Sequence, residues 1–290
     1  MKDNNGRSLA RYCQLLGISR QAYYQHFKED EAKLMKEEIV LEEVRKIRSK
    51  HRRLGGKKVF KRLGQFLIAN NIKMGRDAFF DLMKEQGLLI KRKRRKTITT
   101  FSLHRFRKYP NKIKGIVLSG PNQLWVSDIT YWKIENSYLY VSLITDAYSR
   151  KIVGYHVSAS LEALETLKAL KMALGGLKRV PENLIHHSDR GLQYCSNEYV
   201  KLLRAHQIEI SMTENGDPYE NALAERMNGI LKEEYLNEYK VETIDQARMT
   251  LAYAVDLYNI ERPHLSWNYQ TPAEVHSNSE KKERDALKRY

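Results

Sequence analysis

The sequence predicts an α/β protein: a mixed sheet with flanking helices, preceded by small all-α helix-turn-helix domains. Three observations carry that expectation. The texture changes at residue 121, from helical patterns broken by glycine to short runs rich in Val, Ile, Tyr and Trp. The charge changes with it: residues 1–120 carry 31 Lys and Arg against 11 Asp and Glu, and residues 121–290 carry 20 against 24. The third observation is the order of elements after residue 121, set out below.

Before that boundary, residues 8–28 hold two short helical patterns. Ser8 can cap the first, with Leu9, Tyr12, Cys13 and Leu16. Gly17 permits a turn, and Ser19 can cap a second with Ala22, Tyr23 and Phe27, which is the helix-turn-helix arrangement. A more acidic helix follows, with Leu34, Leu41, Val44 and Ile47, and ends near His51-Arg52-Arg53. After Gly55-Gly56, residues 57–70 and 76–86 form a second helix pair closed by Gly87. Lys91, Arg92, Lys93, Arg94, Arg95 and Lys96 then make six consecutive positive charges, a run that phosphates would neutralise. Residues 97–120 show no periodicity and read as a linker.

Beyond it, 124–133, 138–146 and 151–158 read as three strands joined as antiparallel hairpins. A helix at 160–174, a strand at 183–189, a helix at 197–207, a strand at 208–212 and a long helix from about 218 to 239 follow. That order is the one of a ribonuclease H-like mixed sheet. The chain therefore divides into an N-terminal helix-turn-helix (1–30), a linking helix (31–52), a second helix-turn-helix with the basic arm (53–96), a linker (97–120), a ribonuclease H-like domain (121–276) and a tail (277–290).

Composition excludes several classes. The 290 residues suit two or three small domains, 42% hydrophobic residues can build at least one core, and 10% aromatics in periodic apolar runs exclude disorder throughout. No stretch reaches the roughly 18 apolar residues of a membrane span, and no signal-peptide pattern opens the chain. Two cysteines, Cys13 and Cys195, exclude a disulfide framework and a four-cysteine zinc site, and point to a reducing cytosol. The net +16 lies wholly in the N-terminal part, and a field of that size attracts nucleic acid.

Three carboxylates fall at informative places. Asp128 stands inside the first strand, Asp189 ends the fourth, and Glu225 lies on the long helix. An Asp among Trp, Val and Ile is costly unless its charge is compensated. Divalent cations with hard oxygen ligands, Mg²⁺ or Mn²⁺, would do so, and two of them about 4 Å apart can drive an in-line phosphoryl displacement. Asp217, Pro218 and Glu220 can start the long helix, on which Asn221, Glu225, Asn228 and Lys232 form one polar stripe.

The segments WVSDITYW, HHSDRGLQYCS and NGDPYENALAERMNGILKEEY resemble the catalytic core of DDE transposases, within the retroviral integrase superfamily. They look most like the second-frame catalytic product of the bacterial insertion-sequence-three family, with 35 residues between Asp189 and Glu225 and a closing YNIERPHLSWNYQTPAEV at 258–275. The likeness spans roughly residues 45–276. It implies a metal-binding triad of Asp128, Asp189 and Glu225 with two Mg²⁺ or Mn²⁺ ions, and makes Lys232 a contact to the transposon end. It implies cleavage of transposon ends and 3′-hydroxyl strand transfer into double-stranded target DNA. A homo-oligomer in the synaptic complex, an upstream-frame partner protein and a bacterial cytoplasmic, nucleoid-associated setting also follow from it. Leu54-Gly55-Gly56-Lys57-Lys58 departs from the family's Tyr-Gly-Tyr-Arg-Arg-like stretch, which bears on end recognition.

Two other readings stay open on the residues alone. His187-x-x-Arg190 is similar to the phosphate-activating pair of tyrosine recombinases, and a transposase-derived protein could bind DNA without cutting it. Cys195 reads as a small buried hydrophobe, Trp125 and Trp132 as sheet packing, and His186 and His187 as orienting Asp189 or capping the strand end.

Overall fold

A computed structural model describes residues 9–90, 106–135, 137–214 and 221–278, with side chains at 26–30 outside that description. The basic arm at 91–96, the helix start at 215–220 and the tail beyond 278 therefore lie outside the described residues. Two compact units emerge, one of residues 1–50 and 55–90, the other of 51–54 and 91–290.

In the first unit, α1 (Leu9–Leu15) leads through Gly17, at φ +66°, to α2 (Arg20–Lys50). Ser19 accepts from the Ala22 N–H at 3.0 Å, the expected cap. The break expected near residue 30 is absent. Residues 20–50 contain no Gly or Pro and are rich in Glu, Lys, Ala and Leu, so one helix of 31 residues runs through. Leu41, Val44 and Ile47 are buried on it, whereas Leu34 is 64% exposed. The second pair is α3 (Gly56–Ala69) and α4 (Arg76–Glu85), buried through Val59, Leu63, Phe79 and Met83. Gly87, at φ +65°, closes α4 with Leu88 N–H bonded to Met83 O at 2.8 Å.

In the second unit, β1 (Leu124–Lys133), β2 (Tyr138–Asp146) and β3 (Ile152–Ser158) form an antiparallel meander. Then come α5 (Ala163–Gly175), β4 (Ile185–Ser188), α6 (Leu192–Cys195), α7 (Asn197–Ala205), β5 (Glu209–Met212), α8 (Ala222–Glu234) and α9 (Ile244–Asp256). The strand order is β3-β2-β1-β4-β5, with β4 parallel to β1 and β5 parallel to β4. This is the ribonuclease H-like mixed sheet. Trp125, Ile144, Leu170 and Tyr199 pack against α5 to α7 on one face. Trp132, Val141, Met227, Tyr235 and Tyr258 pack against α8 and α9 on the other. Gly154 lets α5 approach β3 closely, since a Cβ there would run into the Ala169 carbonyl oxygen and Ala173.

Three features depart from the sequence expectation. The long helix stops at Glu234; Tyr235 turns to φ −127°, ψ −72°, and a short 3-10 turn, Leu236–Glu238, follows. From residue 106 the expected linker instead runs beside β5, with Met212 N–H donating to Pro110 O at 3.3 Å and Lys112 N–H to Ser211 Oγ at 2.9 Å. Backbone groups of an open sheet edge are thereby paired. Residues 51–54, expected to end the linking helix (51–52) and to open the second helix-turn-helix (53–54), belong to the second unit. The His51 ring is buried, with Nδ1 3.1 Å from the Tyr235 hydroxyl and Nε2 3.2 Å from Glu261. Arg52 donates to Glu238 O at 2.6 Å.

Candidate functional site

The register of the sheet sets the site. β1 and β4 pair in parallel from Leu124↔Ile185 to Ser127↔Ser188, and the next residues on the two chains are Asp128 and Asp189. Period-two alternation gives Asp128 the face it shares with Val126 and Trp132, the face that α8 covers. β1 and β4 are next to each other because the chain crosses over through α5, so two acids 61 positions apart become neighbours.

Both carboxylates are fixed by N–H donors. Ile129 N–H donates to Asp128 Oδ1 at 2.9 Å and the Asn228 amide to Oδ2 at 2.8 Å. Gly191 N–H donates to Asp189 Oδ1 at 2.9 Å. Burial first, and the Asp189 charge second, push Asp128 from 3.8 up to about 7, while the Ile129 and Asn228 bonds pull the other way. Glu225 contributes least to that shift and is exposed on α8. The strand register thus brings Asp128 and Asp189 together, and Glu225 stands on the helix that covers that face. Among the described residues no three His, Cys, Asp or Glu side chains are close enough to hold one metal ion between them.

The polar stripe on α8 is only partly a solvent face. Asn221 and Asn228, two turns apart, are 5% and 4% exposed. Their amide groups bond to β1, Asn221 to Ser127 O at 3.3 Å and Asn228 to Asp128. Their side-chain carbonyl oxygens, Asn221 Oδ1 and Asn228 Oδ1, are buried without a hydrogen-bond partner. A buried acceptor left unpaired is destabilising unless a donor or cation meets it. Paired carboxylates beside orphan carbonyl oxygens form an all-oxygen set that fits a hydrated hard divalent cation. Lys232 is half-buried on α8, and that burial lowers its pKa from 10.5.

Beneath the carboxylates lies a buried polar floor. The Ser127 and Tyr194 hydroxyls are 3.0 Å apart, Tyr199 OH is 3.0 Å from His186 Nε2, and His187 Nδ1 is 2.8 Å from Ser211 Oγ. Burial, with His187 alongside, pushes His186 down to about 3, so the ring is neutral. His186 and His187 therefore brace strand to helix and strand to strand. Cys195 is buried, and burial raises its thiol to about 11, as suits a small hydrophobe. Trp125 and Trp132 are fully packed. Tyr194, which feels both Asp128 and Asp189, is 2% exposed, and burial holds its phenol protonated well above the usual 10. A phenol so placed makes a poor covalent nucleophile.

The shift of Asp128 has a measurable sign. Between pH 4 and 7 the folded protein holds a proton that the unfolded chain has lost, so this group's stabilising effect is full below about pH 4 and disappears as the pH rises to 7. The thermal midpoint of the metal-free protein should therefore fall, relative to that of Asp128→Asn, as the pH is raised through this window. Parallel profiles for the two proteins would contradict it.

Two family models, each described as an integrase core domain, match residues 119–218 and 206–272. With the sheet described above, they define a protein built on an integrase-type catalytic core. A 31 kDa protein of insertion element IS600 from Shigella sonnei is 36% identical over 266 residues, covering 90% of this chain and 96% of that one. The transposase for insertion sequence element IS629, also from Shigella sonnei, is 29% identical over 91% of this chain and 89% of its own length. Transposase InsF for insertion sequence IS3A of Escherichia coli K12 is 34% identical over 187 residues, 64% of each chain. The chain belongs to the insertion-sequence-three family of bacterial DDE transposases.

No helix among the described residues is long and apolar enough to cross a membrane.

Proposed function

We propose that this chain cleaves transposon ends and joins the freed 3′-hydroxyl to target DNA, with Asp128, Asp189 and Glu225 as its acidic triad. One observation carries the reading: two carboxylates follow matched register positions of parallel strands, and burial first, with the Asp189 charge second, holds the proton on Asp128 to about 7. Like charges are held together in a protein interior where a cation or a proton-transfer role compensates them.

Asp128 and Asp189, with Glu225 from α8, would hold two Mg²⁺ or Mn²⁺ ions. When bound, such ions polarise the attacking oxygen and stabilise the leaving one in an in-line displacement. The remaining work belongs to the protein's own groups. Ile129, Asn228 and Gly191 donate to the aspartates and fix their orientation before DNA arrives. Asn221 Oδ1 and Asn228 Oδ1 accept from water or ligand donors that enter the site. Lys232 meets the transposon-end backbone as a point charge, and Lys91, Arg92, Lys93, Arg94 and Arg95 supply further phosphate contacts. Two chemical events follow: water attacks a phosphodiester and leaves a 3′-OH, then that 3′-OH attacks a target phosphodiester and expels the target's 3′-oxygen. Both ends must be held at once, so the working form is an oligomer, and an upstream-frame product is a candidate partner.

The test is a duplex carrying the element's own end, incubated with purified protein, Mg²⁺ and a target plasmid. Nicked ends with 3′-OH and joined product are expected, and EDTA should abolish both. A covalent phosphotyrosyl–DNA adduct, or joining indifferent to EDTA, would overturn the reading.

A further inference from the structure

We propose that the exposed face of α7, together with residues 107–109, is a track for the phosphate backbone of target DNA. This rests on the transposase reading above. The segment beside β5 brings Tyr109 under two guanidinium groups. Arg107 Cζ lies 5.5 Å and Arg204 Cζ 6.0 Å from the ring centroid, and Arg204 Nη2 donates to the Tyr109 hydroxyl at 3.2 Å. The ring's negative face holds both cations, but it does not neutralise them.

One turn back on α7 stands the exposed Lys201. With Asn197, Val200, Arg204 and Ala205 it lines an open cleft of about 440 Å³. Neighbouring cations on the same segment are spoken for: Lys112 pairs with Glu209 and Lys114 with Glu214, each at 2.7 Å. Among the described residues Arg107, Lys108, Lys201 and Arg204 make no ion pair, and Glu198, on the first turn of α7, makes none with them.

Four uncompensated cations around an arginine–tyrosine–arginine cluster suit a polyanion. The groups on offer are guanidinium, ammonium, phenol and amide, which contact phosphates and leave base identity unread. Such contacts fit the duplex that must be accepted whatever its sequence, namely the target. Transposon-end DNA is the competing occupant.

Full-length protein with Arg107→Gln, Lys201→Gln and Arg204→Gln together decides it. End binding and end cleavage should stay within about twofold of wild type. Joining of pre-cleaved ends to a plasmid should fall about tenfold or more at physiological salt, and the log–log salt slope for a random duplex should shrink by about 2 to 3. Unchanged joining overturns the track, and so does a loss of cleavage and joining in step, which assigns the surface to the transposon end. A lower thermal midpoint in the triple variant passes the test to Lys201→Gln alone, whose slope should shrink by about 1. Wild-type protein that neither cleaves nor joins would instead sink the transposase reading.

Discussion

Asp128→Asn is expected to lower strand transfer on the order of 10³-fold or more, with end binding retained. Asn keeps the side chain's shape and can still meet the Ile129 N–H through its carbonyl oxygen, and the Asn228 amide, on turning over, can accept from the new NH₂ through its unpaired Oδ1, so the fold loses little. It removes the charge on which the proposed cation binding depends. Asp189→Asn and Glu225→Gln should do the same, and the three losses should not add, because the residues act as one unit. A stability readout separates chemistry from misfolding. Above pH 7 the metal-free wild-type protein carries two close carboxylates, so Asp128→Asn should melt at an equal or higher temperature. An inactive variant that is also no less stable is the signature of a site strained for function. Retained transfer in any purified single variant would remove that residue from the triad.

Glu225 calls for its own measurement because, of the charges that raise the Asp128 pKa, its own weighs least. Its helix follows residues 215–220 directly, and its side chain is exposed. A carboxylate exposed on α8 and assigned to the cation should show a larger drop in metal affinity than in thermal stability on change to Gln.

Much of this was legible in the sequence, for identifiable reasons. β1 and β2 were readable to the residue because Trp, Val, Ile and Tyr crowd both strands between polar turns. Asp128 stood out because the same crowding makes a carboxylate conspicuous. The fused α2 was not foreseen, since Ser19 marks a helix start but no residue near 30 marks a stop. The edge segment at 106–114 has no periodicity to read: its Pro110 carbonyl accepts from the Met212 N–H, and its other ties run to side chains distant in sequence, Ser211, Glu209 and Glu214. The start of α9 is legible in the sequence, because Thr243 and Gln246 form a capping box there. The burial of Asn221 and Asn228 could not be read from spacing alone. Their partners Ser127 and Asp128 are about a hundred residues away, and an i, i+7 pair of amides looks the same on a solvent face.

Arg262→Met should cost about 3–5 kcal/mol of stability, on the order of 10 °C in thermal midpoint. Arg262 is 3% exposed and forms a fork with Glu234, Nε to Oε2 at 2.8 Å and Nη2 to Oε1 at 2.7 Å. Its Nη1 reaches His264 Nε2 at 3.0 Å, and its guanidinium lies 5.6 Å from the centre of the Tyr258 ring. Burial disfavours the charge, yet the Glu234 fork outweighs it and holds the guanidinium pKa above its ordinary value. Removing one partner leaves Glu234 charged and largely buried, which is the costly half of such a pair. Replacing both, in Glu234→Met with Arg262→Met, should recover most of the loss, and a double-mutant cycle by denaturant unfolding measures the coupling. The fork also has a functional consequence. Glu234 is the last residue of α8, the helix that carries Glu225 and Asn228. The motif around Arg262 grips the sheet as well, since Asn259 bonds both backbone groups of Ile152 at 2.9 Å and Tyr258 OH donates to Arg150 O at 3.0 Å. Arg262→Met should therefore lower joining even well below its thermal midpoint, and the double replacement should restore stability more fully than activity, because two methionines pack but do not fix the helix end at one angle. Equal recovery of both would reduce the motif to a packing role.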